Sequence, residues 1–288
     1  MTAIIDAANI ILFKCSFLFI SGQIYEIMPI NANFAVTIMP VRRLAKKTPM
    51  TDDKTISIAP VAYFRSPFPS KFGVPRQSGV VAELPGEIVF VPGFRRKEAL
   101  KGIEEFSHLW LIWGFSGNAG RWQMTVRPPR LGGNKSVGVF ASRSPFRPNG
   151  LGLSAVVLDK VDWDAPDGPV LKVLGGDLMD GTPIYDIKPY IRYADSHPEA
   201  LSGYTDNVEW EEAEVVFPSE MEAKFRSLGR ASSEDVSVLK KVLAQKPVPR
   251  YQHDSGKIYG MPFKACDIRF KVAGGRIEVV DVVGDLAP

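Results

Sequence analysis

From Ile56 onward the chain is punctuated. Short apolar, β-rich runs recur, each closed by Gly, Pro or Asp within a few residues. Ile56–Arg65 is rich in β-formers, Glu87–Val91 ends at Pro92-Gly93, and Leu109–Phe115 is continuous and aromatic, as in a buried strand. Val137–Ala141, Leu153–Leu158 and Val170–Leu174 follow. No strand–helix alternation of the doubly wound type accompanies them. Many short strands at regular spacing predict a closed or nearly closed sheet. One helix is expected in this half, over Arg96–Phe106, where Ala99, Leu100 and Ile103 lie near helical spacing and Gly102 weakens the pattern.

The remainder reads differently. Glu220–Leu228 and Glu234–Leu243 are predicted helices. Ser232 and Asp235 stand in capping-box spacing, and Val236, Leu239 and Leu243 share one face. Lys257–Tyr259, Cys266–Val272 and Arg276–Val283 read as strands. The polar stretch from Asp195 to Glu214 is the expected connection. The fold class is therefore mainly β: a single-sheet barrel over 56–200 followed by a small α+β domain over 201–288. Residues 1–55 are an atypical extension, apolar and then basic. The uncharged run between Lys14 and Glu26, eleven residues, is too short to span a bilayer, and Asp6 precedes the apolar stretch where a secretory signal carries positive charge. The expectation is an over-extended reading frame with its natural start at Met50. The two cysteines, Cys15 and Cys266, form no CxxC pair and lie near no histidine cluster, so neither a metal site nor a disulfide framework is expected, and a cytoplasmic location fits.

Charge is unevenly spread. Residues 106–158 hold six Lys/Arg and no carboxylate, in a chain with 35 basic and 32 acidic residues. Such a window suits a polyanion or a carboxylate-bearing ligand, or is a glycine-rich core segment with a few solvated arginines. No GxGxxG, Walker, HExxH or GxSxG sequence occurs, which disfavours a Rossmann nucleotide site. Four polar, turn-forming stretches remain: 73–79, 127–134 (preceded by Arg121 and Trp122), 141–152, and 175–183 running on to Tyr190. Prolines flanking arginines fix the backbone, so guanidinium groups are presented with little loss of entropy, in a fork that fits carboxylates and phosphates. Asp177, Asp180 and Asp186 are spaced to bring carboxylates toward one site, and Asp180-Gly181 is also a good turn.

Val74-Pro-Arg-Gln77, Glu105-Phe-Ser-His-Leu-Trp110, Thr125-Val-Arg-Pro-Pro-Arg-Leu-Gly-Gly-Asn134, Val137 through Asn149, and Asp180-Gly-Thr-Pro-Ile-Tyr-Asp-Ile-Lys-Pro-Tyr190 occur in that order. In these five stretches the chain resembles the TrmO (TsaA-like) methyltransferases, from about Ile56 to Val280. The resemblance implies a single-sheet β-barrel that binds S-adenosyl-L-methionine without a Rossmann fold, and a homodimer with the cofactor near the subunit interface. It implies N6-methylation of N6-threonylcarbamoyladenosine next to the anticodon of threonine tRNA. Carried over motif by motif, cofactor contacts fall on Pro75, Arg76 and Gln77, on the Phe115–Asn118 turn (Gly117, Asn118), on Arg143 and Leu153, and on Leu174, Gly175, Gly176 and Asp177. Family members often carry a His-Gln pair where this chain has Ser116-Gly117-Asn118. They usually carry Asp-Pro-Arg-Pro-Ala-Tyr where it reads Lys246-Pro-Val-Pro-Arg-Tyr251.

A nitrogen between an adenine ring and a carbonyl is a poor nucleophile while protonated, so transfer requires proton removal and orientation. Arg143 or Arg76 is expected to hold the cofactor's or the substrate's carboxylate. Arg143, Asp180 and Asp186 are the catalytic candidates, without an assigned general base. Arg121, Arg127, Arg130, Lys135 and Arg147 are expected to meet tRNA phosphates, and Arg250 and Tyr251 to contribute to tRNA recognition, Tyr251 by stacking or by packing at the domain interface. The alternative from another class is a non-catalytic RNA- or nucleotide-binding barrel.

Overall fold

The structure is a computed structural model that describes residues 17–20, 23–29, 36–40, 56–118, 120–131, 135–207, 211–229, 231–248 and 256–284. The chain divides into two compact units, Met1–Ser57 and Ile58–Pro288. In the first, β1 (Phe17–Ile20), β2 (Gln23–Pro29) and β3 (Val36–Pro40) form an antiparallel three-stranded sheet.

The second unit begins with the barrel. Its strands are β4 (Ala62–Arg65), β5 (Pro85–Phe90), β6 (His108–Gly114), β9 (Leu151–Asp162), β10 (Val170–Leu174) and β11 (Thr182–Pro189); a two-residue ribbon, β7 (Thr125–Val126) with β8 (Val137–Gly138), sits between β6 and β9 in the chain. The barrel closes in the order β10-β5-β4-β11-β6-β9, and every pairing is antiparallel. Closure leaves no strand edge to template aggregation. Alternation places Ala62, Phe64, Ile88, Leu109, Leu111, Leu171, Val173 and Ile184 inside.

The predicted helix over Arg96–Phe106 is not formed. Two short 3₁₀ turns, Lys97–Leu100 and Ile103–Glu105, stand there instead, separated by Gly102 at φ 86°. A left-handed residue cannot continue a helix, and glycine adopts that conformation without a steric cost. The predicted run Val137–Ala141 is likewise a two-residue strand followed by a 3₁₀ turn, Val139–Ala141. Conversely, β11 forms where the sequence reads as a polar loop, because Ile184 and Thr182 face inward between β4 and β6.

Beyond the short α1 (Arg192–Asp195), the chain builds β12 (Glu214–Val216), α2 (Ser219–Gly229), α3 (Ser233–Ala244), β13 (Ile258–Phe263), β14 (Cys266–Ala273) and β15 (Arg276–Gly284). The four strands order as β12-β15-β14-β13, with β12 parallel to β15. The capping box at α3 is present: the Ser232 hydroxyl accepts from the Asp235 N–H, and the Asp235 carboxylate accepts from the Ser232 N–H.

One segment joins the two cores. The β4–β5 loop inserts Phe68, fully buried, among Phe225, Phe263, Met261 and Leu239 of the C-terminal core, with its ring edge-on to Phe263 at 5.3 Å. The Lys264 N–H donates to the Pro67 carbonyl at 2.7 Å. The same loop carries Pro75, Arg76 and Gln77, so the C-terminal core anchors one wall of the cavity described next.

Candidate active site

The loops at one end of the barrel enclose a cavity of about 800 Å³, a size that suits a cofactor. Its walls come from the β4–β5 loop (Val74–Gln77), the end of β6 with the turn after it (Ile112–Asn118), the 142–147 loop, the start of β9 (Leu151–Leu153), and Asp177–Met179 after β10. Of the residues expected to bind a cofactor, Pro75, Arg76, Gln77, Gly117, Asn118, Arg143, Leu153 and Asp177 line it.

Leu174, Gly175 and Gly176 do not. They are the hinge beneath it. Gly175 has φ 78°, its N–H donates to the Leu84 carbonyl, and its own carbonyl accepts from the Gly79 N–H, both at 2.8 Å. Only a glycine turns the chain there without strain, and the turn aims Asp177 into the cavity.

Four basic side chains, Lys71, Arg76, Arg143 and Arg147, and one carboxylate, Asp177, line this space. Arg143 is exposed, and its guanidinium donates to Gln77 Oε1 at 2.5 Å, which ties the 142–147 loop to the β4–β5 loop. Asp177 is half-buried. The Ser154 hydroxyl donates to Asp177 Oδ1 at 2.6 Å, and the Trp113 indole N–H donates to Ser154 Oγ at 3.0 Å. Ser154 is one of two fully buried polar residues among those described, so the chain Trp113–Ser154–Asp177 is a built, satisfied network. Burial pushes the Asp177 carboxyl above its ordinary pKa, against the opposing pull of the Ser154 hydroxyl, backbone N–H groups and the Arg143 charge. No carboxylate among the described residues lies within ion-pair distance of Arg121, Arg143 or Arg147.

The other candidates fall elsewhere. Asp180 is exposed and outside the cavity lining. Its carboxylate accepts from the Ser66 N–H at 2.9 Å, which pins the start of the β4–β5 loop. Asp186 sits at a register shift between β11 and β6, accepts from the Ile187 N–H, and pairs with Lys188 at 2.9 Å; it does not line the cavity either. The spacing of three and six residues therefore does not bring the three carboxylates together, because strand β11 carries Asp186 away along the barrel wall. Arg147 lines the cavity and donates from Nη1 to the Ser142 and Ser144 carbonyls, so it also shapes its loop. Arg121, Arg127 and Lys135 are exposed. The Arg130 side chain, Arg250 and Tyr251 lie outside the described residues. Ser154 carries no motif: it is an isolated serine in an apolar strand, and its one signal in the sequence is a polar residue at an inward-facing position. No group of three metal-ligating side chains occurs among the described residues, and none of their helices is long and apolar enough to cross a membrane.

A closed antiparallel barrel with a charged, end-on cavity has a small-ligand site built outside the Rossmann class. Residues 63–196 match the family model for the tRNA-methyltransferase O N-terminal domain, and residues 210–285 match that for the TrmO C-terminal domain. The chain is 40% identical to the tRNA (adenine(37)-N6)-methyltransferase of Escherichia coli K12 over 222 residues, covering 76% of this chain and 94% of that protein. It is 37% identical over 240 residues to RcsF of Pseudomonas aeruginosa, provisionally named an S-adenosylmethionine-dependent methyltransferase, covering 80% and 99%. The crystal structure of TrmO from P. aeruginosa superposes with a TM-score of 0.65 at 32% identity, covering 82% of this chain and all of that one. The chain belongs to the TrmO family.

Proposed function

We propose that this protein is an S-adenosylmethionine-dependent tRNA methyltransferase that modifies N6 of the adenosine next to the anticodon, in the form of N6-threonylcarbamoyladenosine in threonine tRNA. One observation carries the reading. A guanidinium (Arg143) and a half-buried carboxylate (Asp177) face one cavity, and the guanidinium comes from a segment free of acids. The methionyl end of S-adenosylmethionine carries a carboxylate and two cationic groups, so the donor set matches it: Arg143 with Gln77 for the carboxylate, Asp177 for a cation, and Pro75, Phe115 and Leu153 as apolar wall for the adenosine.

When bound, S-adenosylmethionine supplies a methyl group on a cationic sulfur, which keeps the electron pair of the broken C–S bond. The protein positions the acceptor nitrogen and manages one proton. Asp177 is suited to receive it. Burial favours its neutral acid, so the carboxylate takes up the proton released from the acceptor nitrogen as the cavity loses its positive charge. Trp113 and Ser154 hold the carboxylate in place through both states. Met124 and Phe140, 75% and 78% exposed within the basic segment, are the surface that a second copy covers in a homodimer. The working location is the cytoplasm, with tRNA.

The test is mass spectrometry of nucleosides from threonine tRNA of a deletion strain, with and without the wild-type gene. The expected result is loss of the N6-methylated nucleoside and its return on complementation. An unchanged nucleoside profile contradicts the proposal.

A further inference from the structure

A second cavity, of about 280 Å³, abuts the first. The two share Gly114, Phe115, Ser116, Asn118, Pro145 and Arg147, so they adjoin along these residues. The smaller cavity is also lined by Arg121, Trp122 and Tyr185, which do not line the larger one. Its character differs from that of the larger one. Among the described residues no carboxylate lines it, whereas two arginines do, and Arg121 has no ion-pair partner among them. Trp122 is 47% exposed, leaving its ring available to a flat ligand. Gly114 lets the floor form: a Cβ there would stand 2.8 Å from the Tyr185 hydroxyl oxygen.

We propose that this smaller cavity receives the acceptor nucleotide: Trp122 stacks on the base, and Arg121 binds an anionic group of that nucleotide. The inference rests on the methyltransferase reading above. Transfer between two bound molecules needs their reacting atoms about 3–3.5 Å apart at an opening common to both sites. Two cavities that share Phe115, Ser116 and Asn118 in their linings have the adjacency this requires. An aromatic face beside a positive charge and no carboxylate is the chemistry that holds a base carrying negative charge. The anion is either the carboxylate of an N6 substituent or a flanking phosphate.

The experiment uses Arg121→Ala, Trp122→Ala and Trp122→Phe in the full chain. Each is measured for S-adenosylmethionine affinity by calorimetry and for methyl transfer to threonine tRNA from a deletion strain. The expected result is a KM for tRNA at least about tenfold higher in both alanine variants, near wild-type KM in Trp122→Phe, and unchanged S-adenosylmethionine affinity throughout. Binding of free N6-threonylcarbamoyladenosine, weakened by Arg121→Ala, identifies the carboxylate as the anion; a loss seen only with tRNA identifies the phosphate, and both outcomes support the site. Unchanged KM in both alanine variants overturns the proposal, as does loss of S-adenosylmethionine affinity, which would make the cavity part of the cofactor site. A wild-type protein that binds S-adenosylmethionine but methylates no tRNA defeats the parent reading instead.

Discussion

The barrel's open end and the C-terminal sheet use the same residue types for opposite purposes. In the C-terminal region most of the described cations are paired, among them Lys224 with Asp281, Lys240 with Glu222, Lys264 with Asp235, Lys271 with Glu278, and Arg276 with Glu214. Its core is apolar and aromatic, with Phe225, Phe263 and Phe270 fully buried. At the barrel mouth, Arg121, Arg143 and Arg147 meet no carboxylate at ion-pair distance among the described residues, while Asp177 is buried at the cost of a raised pKa. A surface whose charges are mutually satisfied has little left to offer a ligand. One that keeps guanidinium groups apart from acids, and a carboxylate away from water, is arranged for an occupant that completes it.

Four substitutions break or sharpen this contrast. Phe68→Ala strikes the joint between the regions and has the largest expected effect: a loss of about 3–5 kcal/mol in urea unfolding, with weakened S-adenosylmethionine binding because the loop bearing Pro75–Gln77 loses its anchor. Arg143→Ala leaves stability within about 0.5 kcal/mol and lowers single-turnover methyl transfer about 10–100-fold. Asp177→Asn separates binding from stability. Its folded pKa is raised, so the neutral acid's contribution to stability is full below the unfolded carboxylate range and is lost as pH rises through the folded value. Near neutral pH the asparagine variant is therefore expected to melt about 1–3 °C higher than wild type, with the gap closing in acid, and to bind S-adenosylmethionine about tenfold more weakly. Lys240→Ala, which breaks a paired surface charge, should cost less than about 1 kcal/mol and leave cofactor affinity unchanged. An equal loss of affinity from Lys240→Ala and Arg143→Ala would erase the distinction between the two surfaces.

Much of this architecture is legible in the sequence, for identifiable reasons. The alternating strands β5, β6, β10, β14 and β15 and both long helices follow from local pattern and capping, which the sequence carries directly. Strand β11 is hidden because its inward positions, Thr182 and Ile184, are framed by Pro, Asp and Lys that read as loop. The helix expected over Arg96–Phe106 fails at Gly102, whose left-handed φ is set by the chain's path rather than by periodicity. In the site, Pro75–Gln77, Asn118, Arg143 and Asp177, far apart in sequence, line one cavity. Asp180 and Asp186 look equivalent to Asp177 in sequence, but a barrel strand and a turn carry them to other surfaces. The Ser154 relay depends on cross-strand register, Leu111 opposite Ser154, which no local pattern reveals.

The central claim is that the barrel-end cavity is the S-adenosylmethionine site and that Arg143 and Asp177 hold the anionic and a cationic group of its methionyl end. Calorimetric titration of S-adenosylmethionine into wild type, Arg143→Ala and Asp177→Asn tests it most directly. The expected result is saturable binding by the wild-type protein, with affinity lowered about 10–100-fold in Arg143→Ala and about tenfold in Asp177→Asn. Absent binding in the wild type, or affinity untouched by both substitutions, would contradict it.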